Sequence, residues 1–166
     1  MNYKYMKSEA EEDNSRIYYF EIDGEGVVYR QVTVIDGLIY VSNRPYGSRH
    51  FILSESPIEF NLQEAIRKQD FEAIWKRGNQ PFYSRWEEIK VRCSKGDLIE
   101  GEIECIFPHG IVINLNDDIY GVVDYKAVCK KSGSRRIYPR NKVRGTISGF
   151  DEENLWLIIS DGEVIS

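Results

Sequence analysis

Histidine is almost missing from this chain, with only His50 and His109 among 166 residues. No Ser/His/Asp, Cys/His or HxxxH arrangement can be assembled from so few, so neither a catalytic nucleophile nor a metal centre is indicated, and no enzyme is expected. Cysteine is scarce too: Cys93, Cys105 and Cys129 are odd in number, widely spaced and without a CxxC pair. That excludes a disulfide framework and a zinc site, and points to a reducing, cytoplasmic setting. No apolar run approaches the length of a membrane span, and the N-terminus MNYKYMKSEAEEDNSR lacks the apolar stretch of a secretory leader, so a soluble, unprocessed chain with no membrane partner is expected. Positive charge is in deficit, with 22 Lys and Arg against 27 Asp and Glu and a net charge of −5. A protein that coats nucleic acid indiscriminately is thereby excluded, and any nucleic-acid site has to be local. Nothing implies a cofactor.

Aromatic side chains, by contrast, are plentiful: 11 Tyr, 7 Phe and 3 Trp. These types suit strands and half-buried surfaces, which predicts a largely β protein. Residues 1–14 carry Glu9, Glu11, Glu12 and Asp13 with little to bury and read as a flexible tail. From Arg16 the runs IYYFEI, VVYRQVTVI and LIYVS are punctuated by Asp23-Gly24 and Asp36-Gly37, with a further short run from His50 to Leu53. They predict an antiparallel meander of three or four strands. After Pro57 the period changes. Asn61 and Glu64 are placed as a capping box for a helix with Leu62, Ala65 and Ile66 on one face. Phe71, Ile74 and Trp75 fall on another phase, predicting a break near Gln69 and a second short helix, capped by Asp70 and stopping at Gly78. Asn79-Gln80-Pro81 reads as a loop, and Trp86 to Arg92 as a strand or linker. An α+β domain, a meander with one or two helices, is therefore expected over 15–88.

The remainder, 90–162, has short, evenly spaced strands: LIEGEIECIF, GIVINL, YGVVDY, KVRGTISGF and LWLIIS. Glycines at 96, 101, 110, 121, 145 and 149 sit at strand starts, turns and bends, where a small closed barrel needs them. Five such strands predict an all-β OB-fold barrel.

The segment from Gly96 to Ser160 resembles the S1 RNA-binding domain, a variant of the OB-fold. Gly96-Asp97 is similar to the family's opening, Gly101 lies in its first strand, and Gly110 and Gly121 match the glycines around its second and third strands. Asp151-Glu152-Glu153-Asn154 matches its acidic final turn, and Ile159-Ser160 its Leu-Ser ending. The resemblance implies single-stranded RNA as ligand, stacked on two aromatics of the second strand and a histidine of the third. Here those positions are His109, Val112 and Asp124, so the usual platform is only partly present.

Charge takes its place. From Lys126 to Arg144 there are eight basic residues and no acidic one: Lys126, Lys130, Lys131, Arg135, Arg136, Arg140, Lys142 and Arg144, with Tyr125 and Tyr138 beside or within the run. Read as a loop between strands three and four, this stretch is suited to tracking phosphates, with Phe107, His109, Tyr120 and Tyr125 as candidate stacking contacts. The alternative reading of the same stretch is a solvated loop. Asp117-Asp118, with Asn114 and Asn116, reads as a turn and not a metal site. In the first half VVYRQVTVIDGLIYVSN, with SESPIEFN and DFEAIW, is similar to small bacterial domains, some resembling immunity proteins of toxin systems. That resemblance implies an alternative, in which an acidic, tyrosine-rich surface (Tyr3, Tyr5, Tyr18, Tyr19, Tyr29, Tyr40, Tyr46) binds a protein partner such as a basic toxin.

Overall fold

The computed structural model describes residues 2–10, 15–47 and 50–166, and the chain divides into two compact units, Met1–Phe82 and Tyr83–Ser166. The expected fold class is what is found: an α+β unit followed by a closed five-stranded barrel.

In the first unit, β1 (Lys4–Glu9), β2 (Arg16–Ile22), β3 (Val28–Ile35) and β4 (Leu38–Val41) form an antiparallel meander in that order, with a small ribbon of β5 (Pro45–Tyr46) and β6 (His50–Phe51). β1 corrects the expectation of a loose tail. Lys4 to Glu9 pair with Ile22 to Ile17, which puts Tyr5 and Met6 on opposite faces, both buried. Residues 11–14 of the expected tail lie outside the described residues. One face of the meander packs Tyr5, Val32 and Val41 against Phe71, Ile74 and Trp75 of helix α1 (Lys68–Arg92). On the other face Met6, Phe20, Ile22 and Val28 are covered by Leu53, Ile58 and Phe60. That covering segment is tethered by the buried Gln31, whose Oε1 accepts from Ser54 N (2.8 Å).

A buried ionic cluster lies on the helix side of the meander. Arg30, 1 % exposed, donates through Nε and Nη2 to both Glu21 oxygens (2.9 and 2.6 Å) and through Nη2 and Nη1 to both Glu72 oxygens (2.6 and 3.2 Å). Its guanidinium lies over the Phe71 ring at 4.9 Å and the Trp75 ring at 5.0 Å, and Tyr5 donates to Glu21 (2.9 Å). Burial first, and then the bond to Glu21, push the Tyr5 hydroxyl well above the ordinary tyrosine pKa, so it remains a donor.

The helical expectations need correction. Asn61 does cap a turn, accepting from Gln63 N at 3.0 Å, but Leu62–Glu64 is a single 3-10 turn. The chain then bridges to β1, with Ile66 N donating to Tyr5 O, before α1 begins. α1 neither stops at Gly78 nor yields to a loop at Pro81, and Trp86 to Arg92 is helical. A Cβ at Gly78 would come within 2.5 Å of Val41 Cγ1, so this glycine serves close packing and not termination. Asn79, fully buried, accepts from Asn43 Nδ2 (2.7 Å) and donates to Trp75 O (3.0 Å), fixing the turn that propensity disfavours. Burial of Phe71 and Trp75 before it and Trp86 and Ile89 after it offsets the roughly 1 kcal/mol for glycine and 3 kcal/mol for proline.

The second unit is the barrel, built from β7 (Leu98–Phe107), β8 (Gly110–Asn114), β9 (Tyr120–Val123), β10 (Lys142–Asp151) and β11 (Trp156–Val164). The strand order β7-β8-β9-β11-β10 closes back on β7, with only β9 and β11 parallel, an OB-fold-like architecture. Gly96 N donates to Ile147 O and Ile147 N to Asp97 O, so the Gly96-Asp97 opening zips the entry of the barrel onto β10. In the β8–β9 turn Asn116, Asp117 and Asp118 all take the left-handed conformation (φ 71, 54 and 61°). In the acidic β10–β11 turn Asp151 caps the amides of Glu153 and Asn154, while Glu152 accepts from Trp86 Nε1 (3.1 Å) and Lys90 Nζ (2.6 Å) in the last turns of α1. Partial burial of Glu152 opposes its ionisation and is the largest influence on it. The bonds from Lys90 and Trp86 outweigh it together and hold the carboxyl below its ordinary pKa.

Candidate nucleic-acid interface

The strand positions that the sequence marked for stacking are mostly occupied by packing. Val112 is 0 % exposed, paired between Cys105 of β7 and Val122 of β9. Tyr120, read as a candidate stacking contact, is buried in the barrel at 6 % exposure and offers no ring to a ligand, which corrects that reading. Phe107 and His109 are half-buried and lean on the fully buried Trp156, with ring centroids at 6.1 and 5.5 Å. His109 meets Trp156 edge-on and Phe107 meets it at a tilt of 42°.

Asp124 has a local role. Its side chain accepts from Ala127 N (2.9 Å) as the N-cap of helix α2 (Tyr125–Ser132), where the sequence suggested only a loop. α2 packs Val128, fully buried, against the barrel beside Gly162, where a Cβ would meet Val123 Cγ2 at 2.4 Å and Val128 Cγ2 at 3.3 Å. Ser132 Oγ accepts from Val164 N, and Lys131 Nζ donates to Asp161 O, so both tie the end of α2 to β11. Tyr125 opens the helix, about a third exposed. Its hydroxyl donates to the Cys129 sulfur one turn on, which raises its pKa above the ordinary value.

Beyond α2 the chain makes a 3-10 turn, Ser134–Arg136, with Ile137 buried behind it. Arg140 has a left-handed backbone (φ 74°), and its amide donates to Ile103 O of β7 at 2.8 Å. The basic run is thus a helix and a pinned turn, not a free loop.

Of the eight basic side chains, Lys131 is tied to Asp161 O and the other seven divide in two. Lys142 and Arg144 stand in β10 directly across from Glu102 and Glu100 of β7, and Arg144 pairs with Glu163 of β11 at 2.9 Å. The bond to Glu163 holds the Arg144 pKa up and that of Glu163 down. Arg144 therefore belongs to a cross-strand charge ladder, and Lys142 lines a shallow cleft with Glu100, Glu102, Asn114 and Asn116. In the helix and turn, Lys126, Lys130, Arg135, Arg136 and Arg140 are exposed, and among the described residues their side chains make no ion pair or hydrogen bond. Five uncommitted cations thus follow one another along a segment held against the barrel, with Tyr138 between Arg136 and Arg140.

Sequence reasoning missed α2, because its cap sits where the family resemblance implied a ligand contact. It also passed over Tyr138 as a site residue, although the aromatic stands inside the basic run. In the first unit the tyrosines proposed as partner anchors are largely engaged in packing. Tyr5 is buried, Tyr3 lies against Tyr29 (5.2 Å), and Tyr40 meets Tyr46 edge-on (4.5 Å). Among the described residues no three His, Cys, Asp or Glu side chains are grouped to hold a metal, and no helix is long and apolar enough to cross a membrane. No protein-family model matches the chain, and no curated protein matches it.

Proposed function

We propose that the barrel unit is a non-catalytic RNA-binding module that holds a single strand by its phosphates along Lys126, Lys130, Arg135, Arg136 and Arg140. The observation that carries this reading is the run of five uncommitted cations on a segment pinned to the barrel, within a chain of net charge −5. In such a chain a local cationic strip has to supply the whole electrostatic attraction. The OB-fold-like topology, a scaffold used widely for single strands, and the S1 resemblance of Gly96 to Ser160 support it. Phe107 and His109 contribute edge contacts, Lys131 is partly spent on Asp161, and Lys142 and Arg144 act as a flank tempered by Glu100, Glu102 and Glu163. Three free cysteines suit work in a reducing, cytoplasmic setting. A protein partner on the first unit has less support, since its tyrosines are mostly packed.

The test is anisotropy of a labelled oligoribonucleotide titrated with the full chain at several salt concentrations. Five phosphate contacts on a single strand give a slope of log affinity against log salt of about −3.5. Replacing Arg135, Arg136 and Arg140 together by glutamine leaves two, and a slope of about −1.4. Absence of binding at low salt, or an unchanged slope in the triple variant, would overturn the proposal.

A further inference from the structure

Cations alone do not tell a single strand from a duplex, because both present phosphates. Discrimination needs a surface for unpaired bases, and the barrel strands provide little of one, with Val112 and Tyr120 buried and Phe107 and His109 leaning on Trp156. Outside the strands two rings are open: Tyr125, 37 % exposed at the start of α2 with its hydroxyl engaged by Cys129, and a more exposed one in the cationic turn. Tyr138 is 54 % exposed, and among the described residues its ring meets no other ring and its hydroxyl makes no hydrogen bond.

An exposed tyrosine is unremarkable on a mobile loop, but this one stands on a fixed turn. The preceding Ile137 is buried, and its amide donates to Ser134 O (3.1 Å). On the other side Asn141 N donates to Tyr138 O (3.2 Å), Asn141 Nδ2 to Arg136 O (2.8 Å), and Arg140 N to Ile103 O (2.8 Å). The ring is therefore presented with little backbone entropy left to lose, between two uncommitted guanidiniums two residues away on either side. A base stacked on Tyr138 would have its flanking phosphates within the reach of Arg136 and Arg140.

We infer that Tyr138 is the base-stacking platform of this site, so that its ligand is RNA with unpaired bases. The inference rests on the RNA reading and adds to it the residue that selects single strands. It predicts a separation of roles. The arginines set the salt dependence, and Tyr138 sets the preference for single strands without altering that dependence.

The experiment compares the full chain with Tyr138→Ala, Tyr138→Phe and the Arg135→Gln/Arg136→Gln double variant, using labelled oligouridylate and an RNA duplex of equal length. Tyr138→Ala is expected to weaken oligouridylate binding roughly fivefold or more, with the salt slope and duplex affinity unchanged. Tyr138→Phe, which keeps the ring, is expected to bind as the parent does. Parental oligouridylate affinity in Tyr138→Ala, or equal weakening toward both probes, overturns the platform. If the arginine variant still binds less and flattens the slope, the RNA reading survives that outcome. If the parent chain binds no oligouridylate at low salt, both fall together.

Discussion

Replacing Arg30 by methionine tests whether the ionic cluster is the element on which the first unit depends. Arg30 and Glu21 are 1 % and 3 % exposed, so the carboxylate left behind cannot be rehydrated where it stands. Glu72 differs, because its side chain is 39 % exposed and finds water once released. The cost therefore falls on Glu21, and removing one partner of a buried pair costs about 3–5 kcal/mol. Loss of the guanidinium over Phe71 and Trp75 adds to this, while the methionine refills part of the volume. Against a typical stability of about 5–15 kcal/mol the unit would be severely weakened. Amide exchange, followed peptide by peptide over Arg16–Ile35, separates this unit from the barrel. Protection there should fall by about two to three and a half orders of magnitude. The combination Tyr5→Phe/Glu21→Leu/Arg30→Met removes the stranded carboxylate and the hydroxyl that donates to it, and most of the loss should be recovered. Glu72→Gln should cost about 1 kcal/mol or less, since its partner keeps Glu21. The reasoning is refuted if Arg30→Met leaves exchange within a factor of about five of the parent, or if the triple variant is no better than the single one.

Other consequences can be checked separately. Arg140 holds a left-handed backbone that glycine adopts freely, so Arg140→Gly should be more stable than Arg140→Ala by about 1 kcal/mol in urea unfolding. Equal stabilities would mean the turn bears no strain. The Glu152 carboxyl is held below its ordinary pKa by Lys90 and Trp86, so its contribution is complete above about pH 4.5 and is lost as pH falls through the depressed value. Glu152 is more than half exposed, which keeps that contribution well under about 1 kcal/mol. An acid titration of Trp86 fluorescence should show a step in that range that is missing in Glu152→Gln, and a step that persists in the variant would exclude Glu152 as its source.

The barrel was the most legible part, because alternation and glycine placement are local signals that survive in a closed sheet. The meander from Arg16 to Val41 was legible for the same reason. β1 was not, since KYMKSE has two apolar-capable positions that turn core only after pairing with β2. α1 was not legible through Gly78 and Pro81, where local propensity opposes the helix and tertiary contacts to Val41 and Asn43 restore it. The Arg30 cluster draws Glu21, Arg30 and Glu72 from three elements, a convergence that spacing cannot reveal. At the candidate interface the basic residues themselves were legible. Their division was not, because it depends on register, which sets Lys142 and Arg144 opposite glutamates.

The single parallel pair in the barrel has a kinetic consequence. β9 cannot meet β11 through a hairpin, and Gly121 waits for Leu157 while α2, the cationic turn and β10 are placed between them. Closure spans a longer separation still, with Leu98 pairing with Thr146. The meander, in contrast, is assembled from neighbours, as when Ile35 meets Leu38. Loop-closure entropy makes such non-local pairings slow, so on refolding the meander should gain amide protection first and the barrel in a later phase. During that interval the cationic segment exists as chain without the strands that fix it, so its ordered turn is acquired with the barrel and not before it.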